Sequence, residues 1–160
     1  MKKILATIAA ALVVVGCTTT QTLTPEKQAI DRVFAADASF AKNSTSVAQL
    51  VIKEKTISLA GCPADFIAAY KSNISAWEKM EAIEKKMYAA NQENAARDIK
   101  AFLASYASDA PKAFVEMKSK WPQFAEELDK AFEDIERTKA AYKTVGAKYS
   151  SVYPSSGGLF

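Results

Sequence analysis

Two cysteines, Cys17 and Cys62, and two runs of carboxylates are the residues of this 160-residue chain best placed to do chemistry. Histidine is absent. That removes Ser-His-Asp and Cys-His nucleophile pairs, zinc sites of mixed Cys and His ligands, and any imidazole base near neutral pH. Two thiols cannot form a four-thiolate metal site or an iron–sulfur cluster. Neither cysteine stands in a Cys-x-x-Cys-His haem-attachment sequence. The carboxylates lie at Glu78, Glu81 and Glu84, and again at Glu126, Glu127, Asp129, Glu133, Asp134 and Glu136. Glu81 and Glu84 have the spacing of the Glu-x-x-His pairs that hold two metal ions in bundles, but the histidine is missing. Lys79, Lys85, Lys86, Lys130, Arg137 and Lys139 are interleaved with these acids, so both runs are expected to form solvated helix faces. No acidic loop has the calcium-binding form, and there is no glycine-rich phosphate loop and no Gly-x-Ser-x-Gly. The expectation is a chain without a cofactor, without a metal and without a catalytic residue.

Cys17 has a different setting. Met1-Lys2-Lys3 is basic, and the uncharged, mostly apolar run from Ile4 to Val15 is too short to cross a bilayer but suits a secretory h-region. It ends in Val14-Val15-Gly16-Cys17. This segment resembles the signal peptide and lipobox of bacterial lipoproteins. The resemblance covers residues 1–17 and implies cleavage before Cys17, a diacylglyceryl group on its thiol and an acyl chain such as palmitate on its new amine. Thr18 in place of aspartate implies sorting to the outer membrane, with the domain in the periplasm or at the cell surface and the periplasm the expected side. Several acyl chains on one residue give stable anchoring. Removing residues 1–16 takes Lys2 and Lys3 away and lowers the formal charge from +3 to +1, so nucleic acid is not an expected partner.

The elements that must position Cys62 and the carboxylates are helical. Residues 17–24, rich in threonine, read as a polar tether. Thr24-Pro25 opens a helix carrying Ile30, Val33, Phe34 and Asp37 at helical spacing. Asn43-Ser44-Thr45-Ser46 breaks it. Ser46 with Gln49 has the form of a capping box before a short helix that ends by Leu59. Gly61-Cys62-Pro63 is the clearest internal boundary, with Pro63 expected at the first helical position and Cys62 as N-cap. Ile67, Tyr70, Ile74, Trp77, Met80, Ile83 and Met87 then recur every three or four residues. Asn91-Gln92-Glu93-Asn94 interrupts that stripe. A helix with Ile99, Phe102, Leu103 and Tyr106 follows, then a piece from Pro111 to Lys120 with Phe114 and Met117. Pro122 kinks or restarts the last helix, which carries Leu128, Phe132, Ile135, Tyr142 and Val145. Trp77 and Trp121 sit on apolar stripes and read as core.

The expected architecture is an all-α bundle over residues 25–153, built on two long helices near 63–90 and 122–150, with a flexible tail at 154–160. Its expected role is that of a non-catalytic lipoprotein, held to the membrane through Cys17, whose helical surface meets a periplasmic or membrane partner. Two alternatives stand beside it. The bundle could hold an apolar ligand or lipid, or Cys62 could form a disulfide with another chain. As an N-cap, Cys62 would have its thiolate stabilised by free N–H groups. The competing reading, which the sequence favours, makes Cys62 a small hydrophobe covered by Leu59 and Phe66. Oligomeric state is not legible.

Overall fold

The computed structural model describes residues 24–154, and Cys17, the signal segment, most of the tether and residues 155–160 lie outside them. Among the described residues there are six α-helices and no strand: α1 (Pro25–Lys42), α2 (Val47–Thr56), α3 (Ala64–Ala90), α4 (Gln92–Tyr106), α5 (Ala110–Lys120) and α6 (Ala125–Lys148). None is long and apolar enough to cross a membrane.

The caps come from residues whose side chains can accept a first-turn N–H. Thr24 Oγ1 accepts from the Lys27 N–H at 3.2 Å, with Pro25 opening the helix. Ser46 Oγ accepts from the Gln49 N–H at 3.0 Å. The Gln49 side chain reaches one residue beyond the expected box and accepts from the Thr45 N–H at 2.8 Å. Asn91 alone separates α3 from α4. Its N–H donates to the Met87 carbonyl at 2.9 Å, and its Oδ1 accepts from the Asn94 N–H at 3.0 Å. The expected four-residue interruption is therefore one residue, because one asparagine can end a helix and begin the next. Asp109 caps α5 through the Lys112 N–H.

Proline sets two further boundaries, the first one residue later than expected and the second as the expected restart. Pro63, not Cys62, is the N-cap of α3: its ψ of 151° is extended while its carbonyl accepts the Ile67 N–H. After Trp121 the chain makes a 3-10 turn, Pro122–Phe124, before α6 proper. Pro122 lacks the N–H that would continue α5.

α3 and α6 form the central antiparallel pair. Asp65 lies opposite Tyr149, Lys79 opposite Asp134 and Lys86 opposite Glu127. α2 runs antiparallel to α3, with Lys55 paired to Glu78 near one end and Val47 against Glu84 at the other. α1 crosses the same layer so closely that a Cβ on Gly146 of α6 would lie 2.5 Å from Phe34 Cζ. α4 and α5 fold back as a hairpin, α4 against α3 and α1 and α5 against α6, joined by Phe102 edge-on to Phe114 at 4.8 Å. Trp77 and Trp121 are both buried, as their stripes implied. Ring contacts bind the core: Phe34 to Phe66, Tyr70 to Tyr142, and Trp77 edge-on to Tyr106 at 5.0 Å.

One carboxylate breaks the expected solvated face. Glu84 is 1% exposed and lies in the α2–α3 contact. Glu78 and the Glu126–Glu127 pair do reach solvent. Helical spacing does put Glu84 on the apolar stripe, four residues after Met80 and three before Met87, but it does not say what the carboxylate meets there, which is the first turn of a different helix.

Candidate functional site

Cys62 sits in a turn between α2 and α3. Gly61 makes that turn at φ +82°, and a Cβ there would come within 3.4 Å of Ala29. Cys62 is half-buried, packed with Leu59 against the core, and its N–H donates to the Leu59 carbonyl at 3.1 Å. Burial pushes its thiol up from the ordinary value, and the nearby charge of Arg32 opposes that only in part. Arg32 itself donates to the Ala60 carbonyl at 2.8 Å. The expected lowering by a helix N-terminus is absent for a geometric reason. Cys62 is one residue outside the cap, and the N–H groups of the first turn are engaged elsewhere, with Asp65 Oδ1 accepting from the Phe66 N–H at 2.9 Å. The structure therefore favours the packing role over the reactive one.

The paired carboxylates do not assemble a metal site. Glu81 is engaged by Lys85 one turn on, and Glu84 is committed to backbone N–H groups of α2. No group of three or more Cys, Asp or Glu side chains suited to a metal occurs among the described residues.

The most organised polar group in the interior is one that spacing alone did not single out. Asp37, on the buried face of α1, accepts three phenolic hydroxyls. Its Oδ1 receives Tyr70 of α3 at 3.1 Å, and its Oδ2 receives Tyr142 of α6 at 2.8 Å and Tyr153 at 2.7 Å. Tyr153 belongs to the segment after α6, which folds back over α1. Ser151 Oγ donates to the Lys27 carbonyl at 3.3 Å, and the Tyr153 ring packs edge-on to Phe34 at 5.2 Å. Burial and the charge of Asp37 raise the Tyr70, Tyr142 and Tyr153 hydroxyls above their ordinary value, so all three stay neutral donors. Beside them, the Tyr106 hydroxyl donates to Glu136 Oε1 at 3.1 Å while accepting from Lys139 Nζ at 3.1 Å. Lys139 also lies over the Tyr106 ring, 4.5 Å from its centre.

Of these groups Asp37, Tyr106, Lys139, Tyr142 and Tyr153 wall a cavity of about 20 Å³, closed by Leu50 and Glu54 of α2 and Asn73 and Trp77 of α3. Glu54 is 4% exposed and Asn73 3%. Neither Glu54 Oε2 nor Asn73 Nδ2 has a hydrogen-bond partner. Burial raises the Glu54 carboxyl well above the usual carboxylate range, with Asp37 adding to the effect and Lys139 opposing it. In the sequence Asp37 is a polar interruption in the first helical stripe, Tyr70 and Tyr142 are stripe positions, and nothing singles out Tyr153. Their convergence depends on the antiparallel register of α1 and α6, which spacing within one helix does not encode.

Two larger hollows are open surface clefts. One, of about 540 Å³, lies among Asn91, Asn94, Arg97, Lys120 and Gln123. At its base the buried Asp98 accepts from Trp121 Nε1 at 3.2 Å, Lys120 Nζ at 3.2 Å and Arg97 Nε at 3.3 Å. The other, of about 500 Å³, runs along α3 and α6 over Ala82, Ile83 and Ala131, with charged side chains on its rim. Comparison with protein families, with characterised proteins and with solved structures found no match to this chain.

Proposed function

We propose that this chain is a lipid-anchored lipoprotein of the bacterial envelope, attached to the outer membrane through Cys17, whose helical domain acts by contact with a partner rather than by catalysis. The observation that carries the reading is the order of basic segment, short apolar run and Val14-Val15-Gly16-Cys17, followed seven residues later by a helical domain with its own cap at Thr24. Seven residues span at most about 25 Å, so the N-terminal end of α1 would stay close to the membrane surface. A contact role is supported over storage of an apolar ligand because the central cavity holds about 20 Å³ and is walled by carboxylates and phenols. An acyl chain does not fit there. The raised thiol of Cys62 gives the disulfide reading no support.

The test is Cys17→Ser in a bacterial host, with palmitate labelling and membrane fractionation. Loss of label and release from the outer membrane, with unchanged helical circular dichroism, are expected. Retention of the mutant on the outer membrane after a salt wash would overturn the anchor.

A further inference from the structure

The cleft between the start of α4 and the end of α5 gathers two cations on one carboxylate. Asp98 of α4 is 5% exposed, and its Oδ2 accepts from the indole N–H of the buried Trp121. Its Oδ1 accepts from Lys120 Nζ and from Arg97 Nε. Two cations side by side repel, and the carboxylate between them holds them in place. It cancels only one of the two charges, so the group keeps a net charge of +1. Donors are left over as well. Among the described residues, Lys120 Nζ makes one of its three possible bonds, and the two terminal nitrogens of Arg97 make none. The Asn94 and Gln123 side chains line the same cleft, and neither is hydrogen-bonded to another of the described residues.

Size and chemistry narrow the ligand. A cleft of about 540 Å³ has room for a small organic molecule and far more than a simple ion needs. A net charge of +1 suits a monoanion better than a phosphate monoester, which carries nearly two charges. The unused edge of a guanidinium offers two parallel N–H donors, the match for a carboxylate. Amides both donate and accept, as do the hydroxyl and acetamido groups of a sugar. An acidic peptide shares the carboxylate but lacks that ring of hydroxyls.

We propose that this cleft binds the carboxylate-bearing sugar of an acidic glycan. Arg97 and Lys120 take the carboxylate, and the Asn94 and Gln123 amides take the hydroxyl and acetamido groups around the ring. Asp98 and Trp121 are positioning residues that act through the two cations. Binding does not rest on the lipid anchor. With the anchor in place, the site stands far from the tether. Ala29, near the start of α1, lies against Gly61 just before α3, whereas the cleft begins at Ala90, the last residue of α3. A helix of 27 residues is about 40 Å long, which suits a glycan lying off the membrane surface.

Isothermal titration of the full chain in mild detergent tests the proposal, with N-acetylmuramic acid, N-acetylglucosamine, inorganic phosphate and a triglutamate peptide as probes. N-acetylmuramic acid should bind saturably, and about tenfold more tightly than N-acetylglucosamine, which lacks the carboxylate. Arg97 and Lys120 are exposed, so Arg97→Gln and Lys120→Gln should keep the helical circular dichroism while each weakens the sugar acid about tenfold. Asn94→Ala should weaken it about threefold. Four results would each overturn the proposal: no saturation up to about 10 mM, equal affinity for the two sugars, tighter binding of phosphate or triglutamate than of the sugar acid, or unchanged affinity in the Arg97 and Lys120 variants. All four probes are soluble, so their failure leaves the membrane test of Cys17 untouched.

Discussion

Glu84 of α3 caps Val47 of α2: its Oε1 accepts the Val47 N–H at 2.9 Å, and its Oε2 accepts the neighbouring Ala48 N–H at 2.8 Å. A helix begins with donors that have no partner in their own turn. Here Ser46 satisfies one of them, and a side chain 37 residues away satisfies two more. The negative charge also lies at the positive end of the α2 dipole. Burial raises the Glu84 carboxyl, and the two N–H groups pull it back only in part. Glu84→Ala leaves buried donors unpaired and is expected to destabilise the domain by about 3 kcal/mol. Glu84→Gln keeps one acceptor oxygen and should cost less. Urea midpoints at unchanged m-value measure both, and amide exchange should show α2 losing protection first in the alanine variant.

Gly146 is fixed by the approach of α1, not by backbone conformation. A Cβ there would meet Phe34 at 2.5 and 2.9 Å, both atoms belonging to a ring held between Phe66, Tyr142 and Tyr153. Gly146→Ala favours the helix in isolation but overpacks this contact, with a net cost of about 1–3 kcal/mol. Adding Phe34→Leu should recover part of the loss. A double variant no more stable than the sum of the two single losses would show that the clash is relieved elsewhere.

These two contacts mark where sequence reading ends. The stripe from Tyr70 to Met87, the Thr24 and Ser46 caps and the stop before Pro63 are local, and each is legible because a helix records its own face and ends every three or four residues; at the start of the stripe Phe66, not Ile67, is the buried residue. Glu84, Asp37 and Gly146 answer to other helices. Glu84 interrupts its stripe between Met80 and Met87, and Asp37 weakens its own. The meaning of each comes from partners 33 to 116 residues away. Cys62 stands one residue outside the cap, and burial raises its thiol, in line with the covered hydrophobe the sequence favours and not with the helix-stabilised thiolate.

Glu54 gives the domain a pH dependence of defined sign. Its folded carboxyl titrates well above the ordinary 4.5, chiefly through burial and then through Asp37. Between the unfolded and folded values the native chain holds a proton that the unfolded chain has released. Stability therefore falls as pH rises from about 4.5 through the folded value, by up to about 1.4 kcal/mol per pH unit in that window. Glu54→Gln cannot ionise and should lose this slope, gaining on the parent chain as pH rises. Denaturant midpoints of both proteins at pH 5, 7 and 9 in choline chloride check it. Parallel curves would refute the assignment to Glu54.

The two tyrosines that share Asp37 Oδ2 should not be equivalent. Tyr142 lies deep in the core, whereas Tyr153 closes the outer side and Lys143 packs 4.2 Å from its ring centre. Tyr142→Phe removes a donor that water cannot replace and is expected to cost about 2–3 kcal/mol. Tyr153→Phe should cost about 1 kcal/mol, because its side faces solvent. The double variant leaves Oδ2 with neither donor, so its loss should exceed the sum of the single losses. Additivity would mean that the two hydroxyls act on Asp37 independently.

Cys62 supplies the prediction that separates packing from reactivity. Its thiol is half-buried, its acidity is weakened by desolvation, and Arg32 is the cation that partly offsets this. Alkylation depends on the thiolate fraction and on access, and both are lower in the folded chain than in the unfolded one. Iodoacetamide should therefore modify native Cys62 several-fold more slowly than the same residue in denaturant. Arg32→Ala should slow it further, because the charge that favours the thiolate is gone. A merely inaccessible thiol would react at a rate that Arg32 does not influence, so this second comparison tests the electrostatic cause and not only the burial. Native alkylation as fast as in denaturant, or a reducible higher-mass band on a non-reducing gel of the envelope fraction, would return Cys62 to the role of an intermolecular thiol.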